Sequence, residues 1–187
     1  ICALFIDVWH RSALSNQIFS RWLAPPGFVD YKNALAHSAA KGFSVEFTQL
    51  GKTGLTVSVA GLGCGGGSRL GMNRGLSTAE SVALVRTAMD LGVNYLDTAA
   101  VYGTEGIVGE AIKSVPRDEI YVATKATIRK GMELLPVEDV LASLDNSLRT
   151  LDTDYVDVFQ FHAVPPALYD RIREEYAPAL LAEKKKG

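Results

Sequence analysis

The sequence predicts an α/β fold in which helices cover a parallel sheet. Short apolar runs alternate with segments of helical periodicity four times between residues 59 and 183, after a predicted β-hairpin. Each unit spans roughly thirty to forty residues, the length of a strand with its crossover helix. The alternation fits either a doubly wound open sheet or part of a (β/α)8 barrel. Both architectures place their sites at the carboxyl ends of the strands.

A β-hairpin opens the predicted domain. Segments 47–50 and 55–58 flank a turn that is bounded by Gly51 and Gly54, a typical arrangement for two short antiparallel strands. The apolar run at residues 59–63 then predicts the first buried strand of the repeating pattern. This run leads directly into a glycine-rich segment.

The first helix is predicted from its start signal. Ser77 and Glu80 have the spacing of a capping box, in which each side chain bonds the backbone N–H of the other residue. Gly92 ends this helix. Its apolar face consists of Val82, Val85, Ala88 and Met89. The second strand is predicted at residues 93–98 and the second helix at residues 106–115.

The second half of the pattern repeats strand and helix twice. Residues 120–125 predict the third strand, and Pro136 opens the third helix. The buried stripe of that helix consists of Val140, Leu144, Leu148 and Leu151. Residues 155–162 predict the fourth strand, and residues 168–183 predict a fourth helix that Pro178 interrupts, because proline lacks the N–H that a helix needs.

Composition limits the function classes. The chain has a net charge of −2 at pH 7 and 48% hydrophobic residues, so we expect neither a nucleic-acid interface nor a membrane span. Its two cysteines have no metal or disulfide spacing, which favours no metal site and a reducing, cytoplasmic setting. Residues 1–45 do not resemble the rest, and we expect a poorly ordered extension before an α/β domain at residues 46–187.

The glycine-rich segment matches a dinucleotide-binding pattern in letters but not in context. Gly61, Gly63 and Gly66 satisfy G-x-G-x-x-G. That motif requires a helix to begin at its last glycines, whereas residues 67–76 intervene before the helix start. Asp97, the candidate ribose ligand, lies about thirty residues beyond the motif where about twenty are expected. A doubly wound dehydrogenase is therefore disfavoured, while close approach of this loop to a cofactor stays open.

Ionisable side chains occur at the carboxyl ends of three successive predicted strands. They are Asp97, with Tyr102 in the loop beyond it, Lys125 and His162. An ammonium stabilises the phenolate form of a neighbouring tyrosine, so Lys125 suits Tyr102 for proton transfer to a carbonyl oxygen. His162 is suited to orient that oxygen. No side chain donates hydride, which implies a nicotinamide cofactor. Each residue alone has an ordinary structural explanation, but four compatible groups together favour chemistry.

The motifs around these residues resemble those of the aldo-keto reductases, whose site is a tetrad of Asp, Tyr, Lys and His. The resemblance begins near residue 47. The segments that carry it are LGKTGLTVS at 50–58, LDTAAVYG at 96–103, VGEAIK at 108–113, VATK at 122–125 and SLRTLDTDYVDVFQFH at 147–162. Together they are far more specific than any one of them alone.

The resemblance implies a (β/α)8 barrel, NADPH as the cofactor and reversible reduction of a small aldehyde or ketone. The catalytic residues that it implies are Asp97, Tyr102, Lys125 and His162, with Tyr102 as the general acid. The cofactor-binding residues that it implies, on the nicotinamide-ribose side, are Gly63, Cys64, Gly65 and Asp97.

Aldo-keto reductases have eight βα units, whereas this sequence has four. We therefore expect a half barrel whose two open sheet edges favour self-association. By the same resemblance, the other half would hold most of the cofactor surface, including the groups that distinguish NADP from NAD. Three alternatives stay open: an inactive fragment, a dimer that rebuilds the cofactor site, and a nucleotide-binding or regulatory barrel without turnover.

Overall fold

The computed structural model describes residues 45–186. The extension expected at residues 1–45 lies outside the described residues except for Val45, and its character stays a prediction. The strands of the described part are β1 Phe47–Gln49, β2 Thr56–Ser58, β3 Leu62–Gly63, β4 Tyr95–Asp97, β5 Tyr121–Thr127, β6 Arg129–Lys130, β7 Glu133–Leu134 and β8 Val158–His162. Its α-helices are α1 Thr78–Asp90, α2 Glu105–Ile112, α3 Val137–Leu151, α4 Tyr169–Arg171 and α5 Ala177–Lys184.

The central sheet is parallel, and its strands lie in the order in which they occur in the chain, β3, β4, β5 and β8. A doubly wound sheet would reverse its strand order at a switch point. Right-handed crossovers between sequential neighbours instead place every helix on the same face. The sheet is thus an arc of the barrel type, and the doubly wound alternative is wrong. Within residues 45–186, β3 and β8 each pair on one side only.

The helices pack side by side over one face of this arc. Helix α2 contacts both α1 and α3, and α3 also contacts β5. Leu96 and Val122 are fully buried against the helices in a cluster with Val85, Val108 and Leu151. Because successive strand residues point to opposite faces, the alternate residues of the same strands lie on the inner face. That inner face carries the ionisable residues Asp97, Lys125 and His162.

Local signals set the start and the interruption of the helices. The capping box at α1 is confirmed, since the Ser77 N–H donates to Glu80 Oε2 at 2.8 Å and the Glu80 N–H donates to Ser77 Oγ at 3.3 Å. The predicted interruption near Pro178 also occurs. A π-helical turn at Ile172–Tyr176 precedes α5, in which this proline is the second residue. A wider turn avoids the clash between the proline ring and the preceding carbonyl groups.

Two predicted segments differ from the structure. The first barrel strand is β3 alone, because Val59 at the start of the predicted run is 61% exposed and its N–H donates to the Glu46 carbonyl, extending the hairpin of β1 and β2. The stripe of α3 is only partly buried. Leu144 and Leu148 border the surface grooves between α3 and its neighbours α5 and α2, so they remain half-exposed.

The amino end of the sheet is held by one arginine. Arg117 donates to the carbonyls of Ile120 at 2.6 Å and Tyr155 at 2.9 Å, and to Asp157 Oδ2 at 2.9 Å. The same carboxylate oxygen accepts the Val122 N–H at 2.8 Å. The guanidinium also stacks 4.0 Å from the centroid of the Tyr155 ring. These contacts join the start of β5 to the start of β8, at the end of the sheet opposite the candidate site.

Among residues 45–186, no helix combines the length and the apolar character that crossing a membrane requires.

Two glycines of α2 provide a test of the helix packing. A Cβ at Gly109 would overlap the backbone of Leu151, with the carbonyl carbon only 2.7 Å away. We expect Gly109→Ala to destabilise the fold by about 1–3 kcal/mol, because α3 would have to move away from α2. Urea unfolding followed by circular dichroism measures this loss.

Gly106→Ala is the matched control on the same helix. A Cβ there would meet only Thr150, at 3.9 Å, so the alanine is expected to stabilise the helix by roughly 0.5 kcal/mol. Equal stability changes in the two variants would contradict the close packing of α2 on α3.

Candidate active site

The sequence-predicted ionisable residues meet at the carboxyl end of the arc. Asp97 is the last residue of β4, Lys125 lies in β5, and His162 is the last residue of β8. Tyr102 ends a 3₁₀ turn, Ala100–Tyr102, that follows β4. Parallel register places these positions side by side, with Asp97 opposite Ala123 and His162 opposite Thr127. The structure therefore brings together all four predicted residues.

Lys125 is held by three acceptors. Its Nζ lies 2.7 Å and 2.8 Å from the two carboxylate oxygens of Asp97 and 2.9 Å from the Thr98 carbonyl oxygen. An ammonium has three N–H groups, so this set satisfies all of them. The lysine side chain is only 12% exposed, and that of Asp97 is 35% exposed. The ammonium is therefore fixed on the inner face of the sheet.

Tyr102 lies between this ammonium and His162. Lys125 Nζ is 5.3 Å from the centroid of the tyrosine ring, within the range of a cation–π contact. The tyrosine hydroxyl is 3.4 Å from His162 Nε2, and the two rings meet edge to face with centroids 5.5 Å apart. A positive charge and an imidazole thus adjoin one phenol, which is an arrangement suited to proton transfer.

Gly65 allows the Tyr102 ring to occupy this position. A Cβ at Gly65 would lie 2.6–2.8 Å from three carbon atoms of the ring, far inside van der Waals contact. The ring therefore packs directly against the backbone of the loop after β3. The sequence left open a close approach of this loop to a cofactor, and the folded chain shows a close approach of Gly65 to the Tyr102 ring. The predicted contact of Gly65 with a cofactor stays a prediction.

The other predicted cofactor residues of this loop differ in their surroundings. Cys64 is completely buried among the core side chains behind the sheet, so only its backbone faces the site. Its N–H donates to the Asp97 carbonyl oxygen at 2.8 Å. Gly63 pairs with Asp97 across the sheet, and, its chain neighbours aside, no atom of residues 45–186 lies within 4 Å of the place where its Cβ would stand. Space for a ligand therefore exists beside Gly63.

A short hairpin that the sequence did not reveal supports the end of β8. It is formed by β6 and β7, directly beyond β5. Arg129 of β6 donates through Nε to the Ala163 carbonyl oxygen at 3.2 Å. Ala163 follows His162 and has a φ of 53°, a left-handed conformation that is uncommon for a residue with a side chain. The contact with Arg129 helps to hold the chain in this turn.

A sequential parallel arc with helices on one face and converging ionisable groups at its carboxyl end defines part of a (β/α)8-barrel protein. Comparison with known protein families identifies this partial barrel more closely. The model of the aldo/keto reductase family matches residues 62–187, more than half of the chain, and the chain belongs to that family.

Two curated proteins illustrate the similarity of this chain to reductases and dehydrogenases. L-galactose dehydrogenase of Arabidopsis thaliana is 38% identical over 149 residues, covering 76% of this chain and 46% of that protein. Methylglyoxal reductase DkgB of Salmonella typhi is 42% identical over 109 residues, covering 57% of this chain and 39% of that protein. The chain thus spans about half the length of the curated relatives it matches.

Solved structures agree on the fold. An aldo-keto reductase of Bacillus halodurans, in its holo form, has a TM-score of 0.62 at 32% identity, covering 76% of this chain and 47% of that one. A Bombyx mori aldo-keto reductase solved in complex with NADP has a TM-score of 0.51 at 31% identity, covering 63% and 38%. The predicted fold class, part of an aldo-keto reductase barrel, is confirmed.

Burial of Cys64 predicts a loss of stability at alkaline pH. Burial, followed by the charge of Asp97, raises the pKa of the Cys64 thiol from 9.0 to about 12. The unfolded chain therefore loses this proton first, so the stabilisation is complete below about pH 9 and is lost as the pH rises toward 12. We expect the free energy of unfolding to fall by up to about 1.4 kcal/mol per pH unit in that window.

Urea unfolding at several pH values between about 8 and 11 measures this slope. Cys64→Ala should flatten it, although the variant is less stable at every pH because of the cavity. Tyr95→Phe is the matched control. Burial raises the pKa of Tyr95 from 10.0 to about 12, so that variant should change the slope only above about pH 10. An unchanged slope in Cys64→Ala would contradict the buried thiol.

Proposed function

We propose that this chain carries the catalytic residues of an NADPH-dependent reductase that converts an aldehyde or ketone to an alcohol. The observation that supports this is the unbroken series of contacts from Asp97 through Lys125 and Tyr102 to His162. Because the chain spans about half the length of its relatives, the activity of the whole protein is part of the proposal.

The residues at the end of β3 fit a flat cofactor ring. The space beside Gly63 is open, and the adjacent Asp97 side chain keeps 35% of its surface exposed. A glycine at such a position permits close approach to the backbone. Gly63, Gly65 and Asp97 would hold the nicotinamide-ribose side, and Cys64 would contribute its backbone alone. When bound, NADPH supplies the hydride that reduces the carbonyl carbon.

Tyr102 is the proposed general acid. In the direction of reduction, negative charge develops on the carbonyl oxygen of the substrate, and the Tyr102 hydroxyl transfers its proton to that oxygen to complete the alcohol. The tyrosine oxygen is left as phenolate. Lys125 is suited to stabilise that charge from its fixed position, and Asp97 holds the lysine in place without taking the proton itself. A proton from solvent then restores the acid.

His162 is proposed to orient the substrate. Its Nε2 lies 3.4 Å from the Tyr102 hydroxyl, so a carbonyl oxygen that bonds one group lies within reach of the other. Holding the oxygen between two groups lowers the entropic cost of reaching the reactive geometry. The residues that follow His162 in the chain are mainly apolar. They are Ala163, Val164, Pro165 and Pro166.

The relatives support only the class of substrate. Their names refer to L-galactose and to methylglyoxal, which are both small carbonyl compounds or their cyclic forms. We carry over to this chain the reduction of a small carbonyl compound, or oxidation of the matching alcohol, and no particular substrate. A nucleotide-binding or regulatory barrel without turnover is the second candidate.

The first test of the proposed function is cofactor binding. Titration of the 187-residue chain with NADPH, followed by cofactor fluorescence, should saturate in the micromolar range. Sedimentation velocity in the same buffer shows whether binding accompanies self-association through the edges of β3 and β8, where the described chain leaves each strand unpaired on one side. A folded, soluble chain that binds no NADPH would contradict the proposal for this chain.

The second test of the proposed function removes the hydroxyl of Tyr102. Tyr102→Phe should lower the rate of aldehyde reduction by about 10²–10⁴-fold, while the affinity for NADPH changes little, because only the proton donor is removed. Steady-state kinetics and the same titration measure the two effects.

Tyr155→Phe is the matched control, since this tyrosine stacks on Arg117 at the opposite end of the sheet. It should leave reduction unchanged. If Tyr102→Phe retained full reduction, the acid assignment would be wrong. If the unmodified chain bound NADPH but reduced no carbonyl compound, the binding barrel without turnover would be favoured.

A further inference from the structure

Four polar side chains lie buried directly behind the candidate site. They are Thr98, Thr104, Glu105 and Thr124, of which Glu105 is 3% exposed and the three threonines are fully buried. None of them belongs to the sequence-predicted site. A buried carboxyl group and three buried hydroxyls are costly unless they find hydrogen-bond partners.

These side chains form two hydrogen-bonded pairs. The Thr124 hydroxyl donates to Glu105 Oε1 at 2.6 Å, and the hydroxyls of Thr98 and Thr104 lie 2.9 Å apart. Thr124 belongs to β5, whereas Glu105 is the first residue of α2. Each pair therefore joins a strand, or the residue that follows it, to the beginning of the same helix.

The pairs adjoin two of the proposed catalytic residues through the backbone. Thr124 precedes Lys125 in β5. Thr104 and Glu105 follow the turn that carries Tyr102, with Gly103 alone between Tyr102 and Thr104. Thr98 takes part in both connections, because its carbonyl oxygen accepts a hydrogen bond from Lys125 Nζ while its hydroxyl contacts Thr104.

We propose that Glu105 and Thr124 are positioning residues, whose hydrogen bond holds the turn that carries Tyr102 at a fixed place relative to the strand that carries Lys125. The assignment deepens the proposed function, on which its catalytic meaning rests. Without this bond, the contact of Thr98 with Thr104 and the packing of α2 against α1 and α3 would remain, but the start of α2 would lose its side-chain hydrogen bond to β5. It could then shift along the strand, since apolar packing is not directional.

The geometry leaves little tolerance for such a shift. The Tyr102 ring is confined on one side by the backbone at Gly65 and contacts the His162 ring edge to face. Its hydroxyl, 3.4 Å from His162 Nε2, is already at the outer limit of a hydrogen bond. A displacement of about 1 Å in the reacting groups costs as much as 10²-fold in rate, so a small movement of α2 has a measurable effect.

The test compares Thr124→Val with Thr124→Ser in the full chain. Valine keeps the volume and removes the donor, whereas serine keeps the donor and removes a methyl group. The readout is the ¹³Cζ resonance of Tyr102 in tyrosine-labelled protein, assigned by its disappearance in Tyr102→Phe. We expect Thr124→Val to shift or broaden that resonance, and we expect Thr124→Ser to restore the wild-type signal.

Ser147→Ala is the control for a general effect of removing a buried hydroxyl. Ser147 is fully buried in α3, and within the described residues its hydroxyl has no hydrogen-bond partner. This variant should leave the Tyr102 resonance unchanged. An unperturbed resonance in folded Thr124→Val would overturn the proposal, and so would equal shifts in Thr124→Val, Thr124→Ser and Ser147→Ala.

Glu105→Gln keeps the test decisive if Thr124→Val does not fold. The amide oxygen of glutamine accepts the same hydrogen bond, so the Tyr102 resonance should stay near its wild-type position. Glu105→Leu removes the acceptor altogether, and a shift in Glu105→Gln as large as the one in Glu105→Leu would contradict a role based on the bond.

Enzyme kinetics provide a second, independent test of this proposal. In the active protein, Thr124→Val should lower kcat by about tenfold to a hundredfold with little change in KM, because alignment changes and substrate binding does not. Thr124→Ser should recover most of that loss. If the wild-type chain reduces no carbonyl compound, the proposed function fails, while the resonance of Tyr102 still decides whether Glu105 and Thr124 position it.

Discussion

The ammonium of Lys125 donates to both carboxylate oxygens of Asp97 and to the Thr98 carbonyl, and these contacts join the two central strands at the candidate site. They are made on the inner face of the sheet, where the lysine is only 12% exposed. Removing Asp97 would leave a largely buried ammonium with the Thr98 carbonyl as its remaining acceptor, which is more costly than losing an exposed ion pair. The cation in turn gives Tyr102 its charged neighbour. The proposed chemistry therefore depends on this one pair staying assembled.

Tyr102 is held in place by groups within the site and by groups buried on the helix side of the sheet. The loop after β3 contributes a backbone surface at Gly65 against which the ring packs. The buried bond between Glu105 and Thr124 links the start of α2 to β5. Most of these supporting groups touch no substrate in the proposed reaction, but they restrict where the phenol can lie. A reactive group placed on a short turn gains precision when the elements on both sides of that turn are fixed to rigid neighbours.

The order of the strands explains why the four proposed catalytic residues lie together. Strands β3, β4, β5 and β8 pair in chain order, so the residues at their carboxyl ends are adjacent without a contribution from a more distant strand. Among the residues proposed to hold the cofactor, Gly63 and Asp97 pair across the neighbouring strands β3 and β4. Within the described residues, β3 and β8 are the outer strands of the sheet.

Sequence alone was sufficient for the order and type of the main elements, because hydrophobic period, the capping box at Ser77 and helix-breaking prolines are local properties. Family motifs were also sufficient to select Asp97, Tyr102, Lys125 and His162, although their roles remain proposals. The predicted first strand began too early, at Val59. The hairpin of β6 and β7 was not predicted, because its strands have two residues each and show no hydrophobic periodicity. Only the tertiary structure decided that Cys64 faces the core, that Gly65 adjoins the Tyr102 ring, and that Glu105 bonds Thr124 nineteen residues away. These contacts depend on strand register and helix placement, which arise from packing between distant segments and leave no periodic signal in the chain.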